Sequence, residues 1–104
     1  MIQKRENPLQ DRPAKPVHPG EVIADILEDL AITPTQFAEI LGVSNQVVND
    51  LIQGEQPITV DLAIRIGKAF GNGHRLWLNL QQKVDVWNAW RIHQQEYDRV
   101  LNLI

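Results

Sequence analysis

The 104-residue chain has no cysteine, one methionine, one tyrosine and no apolar run of membrane-spanning length. Without cysteine there is no disulfide framework, thiolate metal site or thiol nucleophile. A spanning helix needs about 18 consecutive apolar residues, so no membrane contact is expected. The charged N-terminus is not followed by an apolar segment, which speaks against a secretory signal and for a cytoplasmic protein. His18, His74 and His93 lie far apart, the carboxylates are scattered, and no glycine loop is built to cradle phosphate. Neither catalysis nor a metal or other cofactor is expected from such a set.

Basic charge is missing from the middle of the chain. Residues 20–64 contain Glu21, Asp25, Glu28, Asp29, Glu39, Asp50, Glu55 and Asp61 but no lysine or arginine, a net of −8. Residues 1–19 set Lys4, Arg5, Arg12 and Lys15 against Glu6 and Asp11, a net of +2, and residues 65–104 carry +3, leaving −3 for the whole chain. An acidic centre between basic ends suits a basic partner better than a bare phosphate backbone.

What is present is helical. Hydrophobic residues make up 43% of the chain, enough for one modest helical core. Residues 1–19 hold Pro8, Pro13, Pro16 and Pro19 and no sustained apolar period, so they read as a flexible arm, with a basic arm reaching DNA as the other reading. From Glu21 to Ala31, Val22, Ile23, Ile26, Leu27 and Leu30 recur at helical spacing, with Asp25, Glu28 and Asp29 facing away.

The stretch from Thr33 to Gly54 organises the chain. Thr33-Pro34-Thr35-Gln36 is a T-x-x-Q capping box with proline at the first helical position. This helix turns Phe37, Ala38 and Leu41 inward. Gly42 suits a left-handed turn, and Ser44 suits the cap of a second helix over Asn45–Gln53 that buries Val48, Leu51 and Ile52. Two short helices around such a turn make a helix-turn-helix. Beyond it, Thr59 with Asp61 opens a fourth helix carrying Leu62, Ala63, Ile66, Ala69 and Phe70, which ends at Gly71. A fifth helix begins near His74 with Trp77, Leu80, Val84 and Trp87 on one stripe, and a helical extension is expected over 91–104.

Ala38-Glu39-Ile40-Leu41-Gly42-Val43-Ser44 is similar to the A-x-x-L-G-V-S core of the lambda-repressor-like, or XRE-type, DNA-binding domains. With His18-Pro19-Gly20-Glu21, Ile58-Thr59, and Trp77-Leu78-Asn79-Leu80-Gln81 followed by Asp85 and Trp87, the chain resembles the HigA antitoxin family, also called virulence-associated protein I. The resemblance spans residues 18–90 and implies an all-α, five-helix lambda-repressor-like domain over 20–90. It implies an antitoxin of a type II toxin-antitoxin system. Such a protein neutralises a HigB-type mRNA-cleaving toxin and represses its own operon by binding operator DNA as a homodimer. A stand-alone regulator, or an interaction module without DNA binding, are the alternatives.

The residues expected to meet DNA are Gln36, Ser44, Asn45, Gln46, Asn49 and Gln53. Asn and Gln pair a donor with an acceptor, the combination that reads adenine, while a helix N-terminus suits a phosphate oxygen. Val47 stands where it either touches a thymine methyl or packs. Two positions depart from the family pattern: Pro34 replaces a glutamine common there, and Asp50 and Glu55 add negative charge near the groove. The missing cations are then to come from Arg65, Lys68 or the arm. Trp77 is expected in the core, and Trp87, Trp90, Tyr97 and Leu101 at a dimer interface, where large aromatics are favoured.

Overall fold

Five α-helices make up most of residues 14–104, the part of the chain that the computed structural model describes. They are α1 (Pro19–Leu30), α2 (Pro34–Leu41), α3 (Asn45–Ile52), α4 (Val60–Phe70) and α5 (His74–Asp98). No strand occurs among the described residues, and no helix there is long and apolar enough to cross a membrane. The all-α expectation holds; of the expected arm, residues 1–13 lie outside the described part.

The first helix starts two residues earlier than the expected Glu21. His18 caps it: Nδ1 accepts the amide of Gly20 at 2.9 Å, and Glu21 Oε2 accepts the amide of His18 at 3.1 Å. Pro19 fills the first position, where no amide donor is needed. A β-carbon on Gly20 would stand 1.9 Å from the carbonyl oxygen of Leu51, so only glycine lets α1 meet the end of α3 this closely. The helix ends at Ala31, which adopts the left-handed conformation with φ 57°. Leu30 belongs to the apolar stripe by spacing, yet it is 55% exposed. It sits in the last turn, and a stripe is buried only as far as the opposing helices reach.

Ile23 and Leu27 of α1 meet Phe37, Ala38 and Leu41 of α2, Val48 and Leu51 of α3, and Leu62, Ala63 and Ile66 of α4 in one core. The rings of Phe37 and Phe70 stack with centroids 5.1 Å apart, and Phe70 lies 5.7 Å from Trp77. Trp77 is fully buried, as expected, and its indole N–H donates to Asn72 Oδ1 at 3.0 Å. Ala69, expected on the inward stripe of α4, is exposed, and Gly67 makes the close approach to the start of α5: a β-carbon there would be 2.3 Å from the carbonyl carbon of Gly73.

α5 runs beyond the bundle and contributes to extents of 57 × 22 × 22 Å. It bends at His93 (φ −116°, ψ 19°) and stops at Asp98. The helical extension expected over 91–104 therefore reaches only to Asp98. Arg99 and Val100 donate to Glu96 and Tyr97, a tightened last turn, and Leu101, Leu103 and Ile104 beyond it are exposed among the described residues.

Candidate nucleic-acid interface

Local chemistry sets the two helices of the central motif. Thr33 Oγ1 accepts the amide of Gln36 at 3.1 Å, and Gln36 Oε1 accepts the amide of Thr33 at 2.9 Å, completing the capping box. Gly42 ends α2 in the left-handed conformation, φ 74°. Ser44 Oγ accepts the amide of Val47 at 3.2 Å and caps α3. Val48 and Leu51, both at 0% exposure, pin α3 to the core.

That anchoring turns Asn45, Gln46 and Asn49 outward, with Gln53 exposed at the C-terminal cap just after the helix. Ser44 and Gln36 are also exposed, so all six candidate DNA residues are accessible. Two of the side-chain amides are already engaged. The carbonyl of Gln36 is held in its cap, leaving the amide nitrogen to donate. Gln46 Nε2 donates to Asp50 Oδ1 at 2.7 Å, one turn along α3. Val47 is half-buried against the core and Ile52 is partly buried beside it.

Of the basic residues expected to supply positive charge to the motif, Arg65 is held by hydrogen bonds and Lys68 has no ion pair among the described residues. Arg65 bridges α4 and the turn: Nε donates to Asp61 Oδ2 at 2.8 Å and Nη1 donates to the carbonyl of Leu41 at 2.8 Å. Its guanidinium is committed to closing the end of α2, so Arg65 is a clamp on the motif instead of a free cation. Lys68 is exposed and makes no ion pair among the described residues. Of the arm, Lys15 lies 5.9 Å from the ring centroid of Trp87, and Arg91 lies 5.1 Å from it. Asp25, Glu28 and Asp29 are exposed along α1 and have no cationic partner among the described residues.

The four candidate dimer residues all lie at the C-terminal end. Trp87 and Trp90 are half-buried on α5, and Trp90 meets Tyr97 edge to face at 5.2 Å. Leu101 lies past the helix and is 84% exposed. The roles of Arg65 as a clamp and His18 as a cap were not legible in the sequence. The i, i+4 spacing of Asp61 and Arg65 signals their ion pair, whereas nothing local points to the Leu41 carbonyl.

A capped pair of short helices around Gly42, with the second presenting a polar face from a rigid core, defines a helix-turn-helix protein. The helix-turn-helix family model HTH_3 matches residues 23–83. Antitoxin HigA-1 of Vibrio cholerae is 37% identical over 83 residues, covering 79% of this chain and 78% of that protein. The crystal structure of a putative antidote protein of a plasmid maintenance system from Nostoc punctiforme is 63% identical, with a TM-score of 0.76 over 88% of this chain and all 100% of that one. The structure of Pseudomonas aeruginosa antitoxin HigA with the higBA promoter has a TM-score of 0.81 at 32% identity, covering 86% of this chain and 99% of that one. The chain belongs to the HigA antitoxin family of helix-turn-helix proteins, whose members act by binding and not by catalysis.

Proposed function

We propose that this protein is an antitoxin that represses its own operon by reading operator DNA with α3, and that it neutralises a HigB-type mRNA-cleaving toxin. The observation that carries the DNA reading is the outward row of Asn45, Gln46, Asn49 and Gln53, held by the fully buried Val48 and Leu51. Amide side chains offer the donor and acceptor pair that matches adenine in the major groove. Ser44 and the first amides of α3, with Gln36 at the start of α2, meet the flanking phosphates. The solved complex of the Pseudomonas aeruginosa relative with its promoter supports this role.

Two copies act together, because a helix-turn-helix dimer reads the two halves of a palindrome. Trp87, Trp90, Tyr97 and Leu101 form the homodimer contact in this reading. The toxin meets the acidic surface of α1, since a protein that grips RNA requires cationic surface.

The test is fluorescence anisotropy of the purified protein with the duplex upstream of its own gene, in a salt series beside a scrambled duplex. Selective binding with a shallow salt slope is expected, because few cations face the groove. Equal binding of both duplexes by folded, dimeric protein would overturn autonomous repression. It would instead favour an interaction module, or operator binding only within the toxin complex. Two acidic residues, Asp50 within α3 and Glu55 just after it, are the specific observation behind that second reading.

A further inference from the structure

Asp50 lies in the helix proposed to enter the DNA groove, where a carboxylate repels phosphate. On charge alone it is a defect. Its side chain is nevertheless engaged, accepting 2.7 Å from Gln46 Nε2 in an exposed contact one turn along the helix. Its main chain is engaged separately: the Asp50 carbonyl accepts the amides of Glu55 at 2.8 Å and Gln56 at 3.1 Å. Changing the side chain therefore leaves the turn after α3 with its own hydrogen bonds.

A primary amide has one carbonyl acceptor and two N–H donors, and a carboxylate only accepts. Asp50 can bond to Nε2 and not to Oε1, so it selects one of the two flipped orientations of the Gln46 amide. Reading adenine uses the carbonyl together with the N–H on the same edge of the amide. The remaining N–H, pointing the other way, is the one that Asp50 can hold without competing with the base. An unrestrained glutamine on an exposed helix face would lose rotamer entropy on meeting the base. Gln46 has part of that ordering already done within the free protein.

We propose that Asp50 is a positioning residue for sequence reading: it orients the Gln46 amide toward an adenine and exchanges general DNA affinity for discrimination. This rests on the operator-reading role proposed above. Gln46 touches the base; Asp50 acts through Gln46.

The test compares wild type, Asp50→Ala, Asp50→Asn and Gln46→Ala by anisotropy on three duplex types. These are the native upstream duplex, a scrambled one, and a set with single A·T pairs changed to G·C. Asp50→Ala is expected to bind the scrambled duplex more tightly, since a repulsive charge is gone. Its ratio of native to scrambled affinity falls about tenfold, the scale of one paired base contact. The loss falls at the same base pair where Gln46→Ala loses discrimination. Asp50→Asn, whose Oδ1 still accepts, keeps the ratio while both affinities rise. Equal gains on both duplexes in Asp50→Ala, with the ratio intact, would overturn the proposal and leave Asp50 as a charge alone. No preference for the native duplex in the wild type would overturn the operator reading and this proposal together, which separates the two failures.

Discussion

Gln81 Oε1 accepts the backbone amide of Ile58 at 2.7 Å, across 23 residues of sequence. Gln81 is buried to 7% exposure on α5, and its Nε2 donates onward to Asp85 Oδ1 at 2.9 Å. One side chain thus fixes the loop between α3 and α4 to the last helix of the bundle. A buried amide left without its acceptor costs about 1–3 kcal/mol. Gln81→Leu is accordingly expected to destabilise the fold by about that amount, lowering the thermal midpoint by about 4–8 °C per kcal/mol in a domain of this size. Thermal unfolding followed by circular dichroism measures it; an unchanged midpoint would show that the Ile58 amide finds another acceptor.

Arg65 donates to the carbonyl of Leu41, and Gly42 next to it leaves room for the guanidinium, since a β-carbon there would lie 3.2 Å from Nη1. A clamp and a phosphate contact differ in their response to salt. Arg65→Ala is expected to weaken binding to native and scrambled duplexes alike while the slope of log K against log salt stays the same. A slope shallower by about 1 would reassign Arg65 to the phosphate backbone.

The exposed carboxylates of Asp25, Glu28 and Asp29 form one face of α1. Reversing all three to lysine is expected to slow association with the cognate toxin about tenfold at low salt, through lost steering. Stopped-flow association at rising ionic strength should erase the difference, because salt screens exposed charge. Equal rates at low salt would take α1 out of the toxin interface.

For the dimer, Leu101→Asp is the most informative change, since Leu101 is 84% exposed in the single chain and carries no part of its core. Sedimentation equilibrium should show the dimer dissociation constant rising about tenfold or more, as for a central interface residue. The thermal unfolding of the dissociated chain should be unaffected. Trp90→Ala is expected to act in the same direction, with a modest added loss from its edge-to-face contact with Tyr97. A dimer unchanged by both substitutions would place the interface elsewhere.

The helix boundaries around the central motif were legible because their causes are short in range. Thr33, Ser44 and Thr59 each accept an amide three residues ahead, so a hydroxyl at the right offset already identifies the cap. Gly42 and Gly71 are left-handed, with φ 74° and φ 75°, where the absence of a β-carbon removes the steric cost. The outward row on α3 follows from helical periodicity once Val48 and Leu51 are taken as buried. The capping role of His18 was not legible because histidine is not among the usual caps, although its ring nitrogen accepts the Gly20 amide just as a hydroxyl oxygen would.

The amino-acid sequence by itself determined the family, the all-α class, the capped helix-turn-helix and the acidic centre of the chain. These depend on residue type and on spacings of three or four. Only the tertiary structure decided that Arg65 closes α2, that Gln81 holds Ile58, and that Leu30 and Ala69 face outward while Gly67 makes the crossing. It also ended α5 at Asp98. Each of these outcomes depends on which surface arrives opposite a side chain from tens of residues away, and helical periodicity carries no record of that.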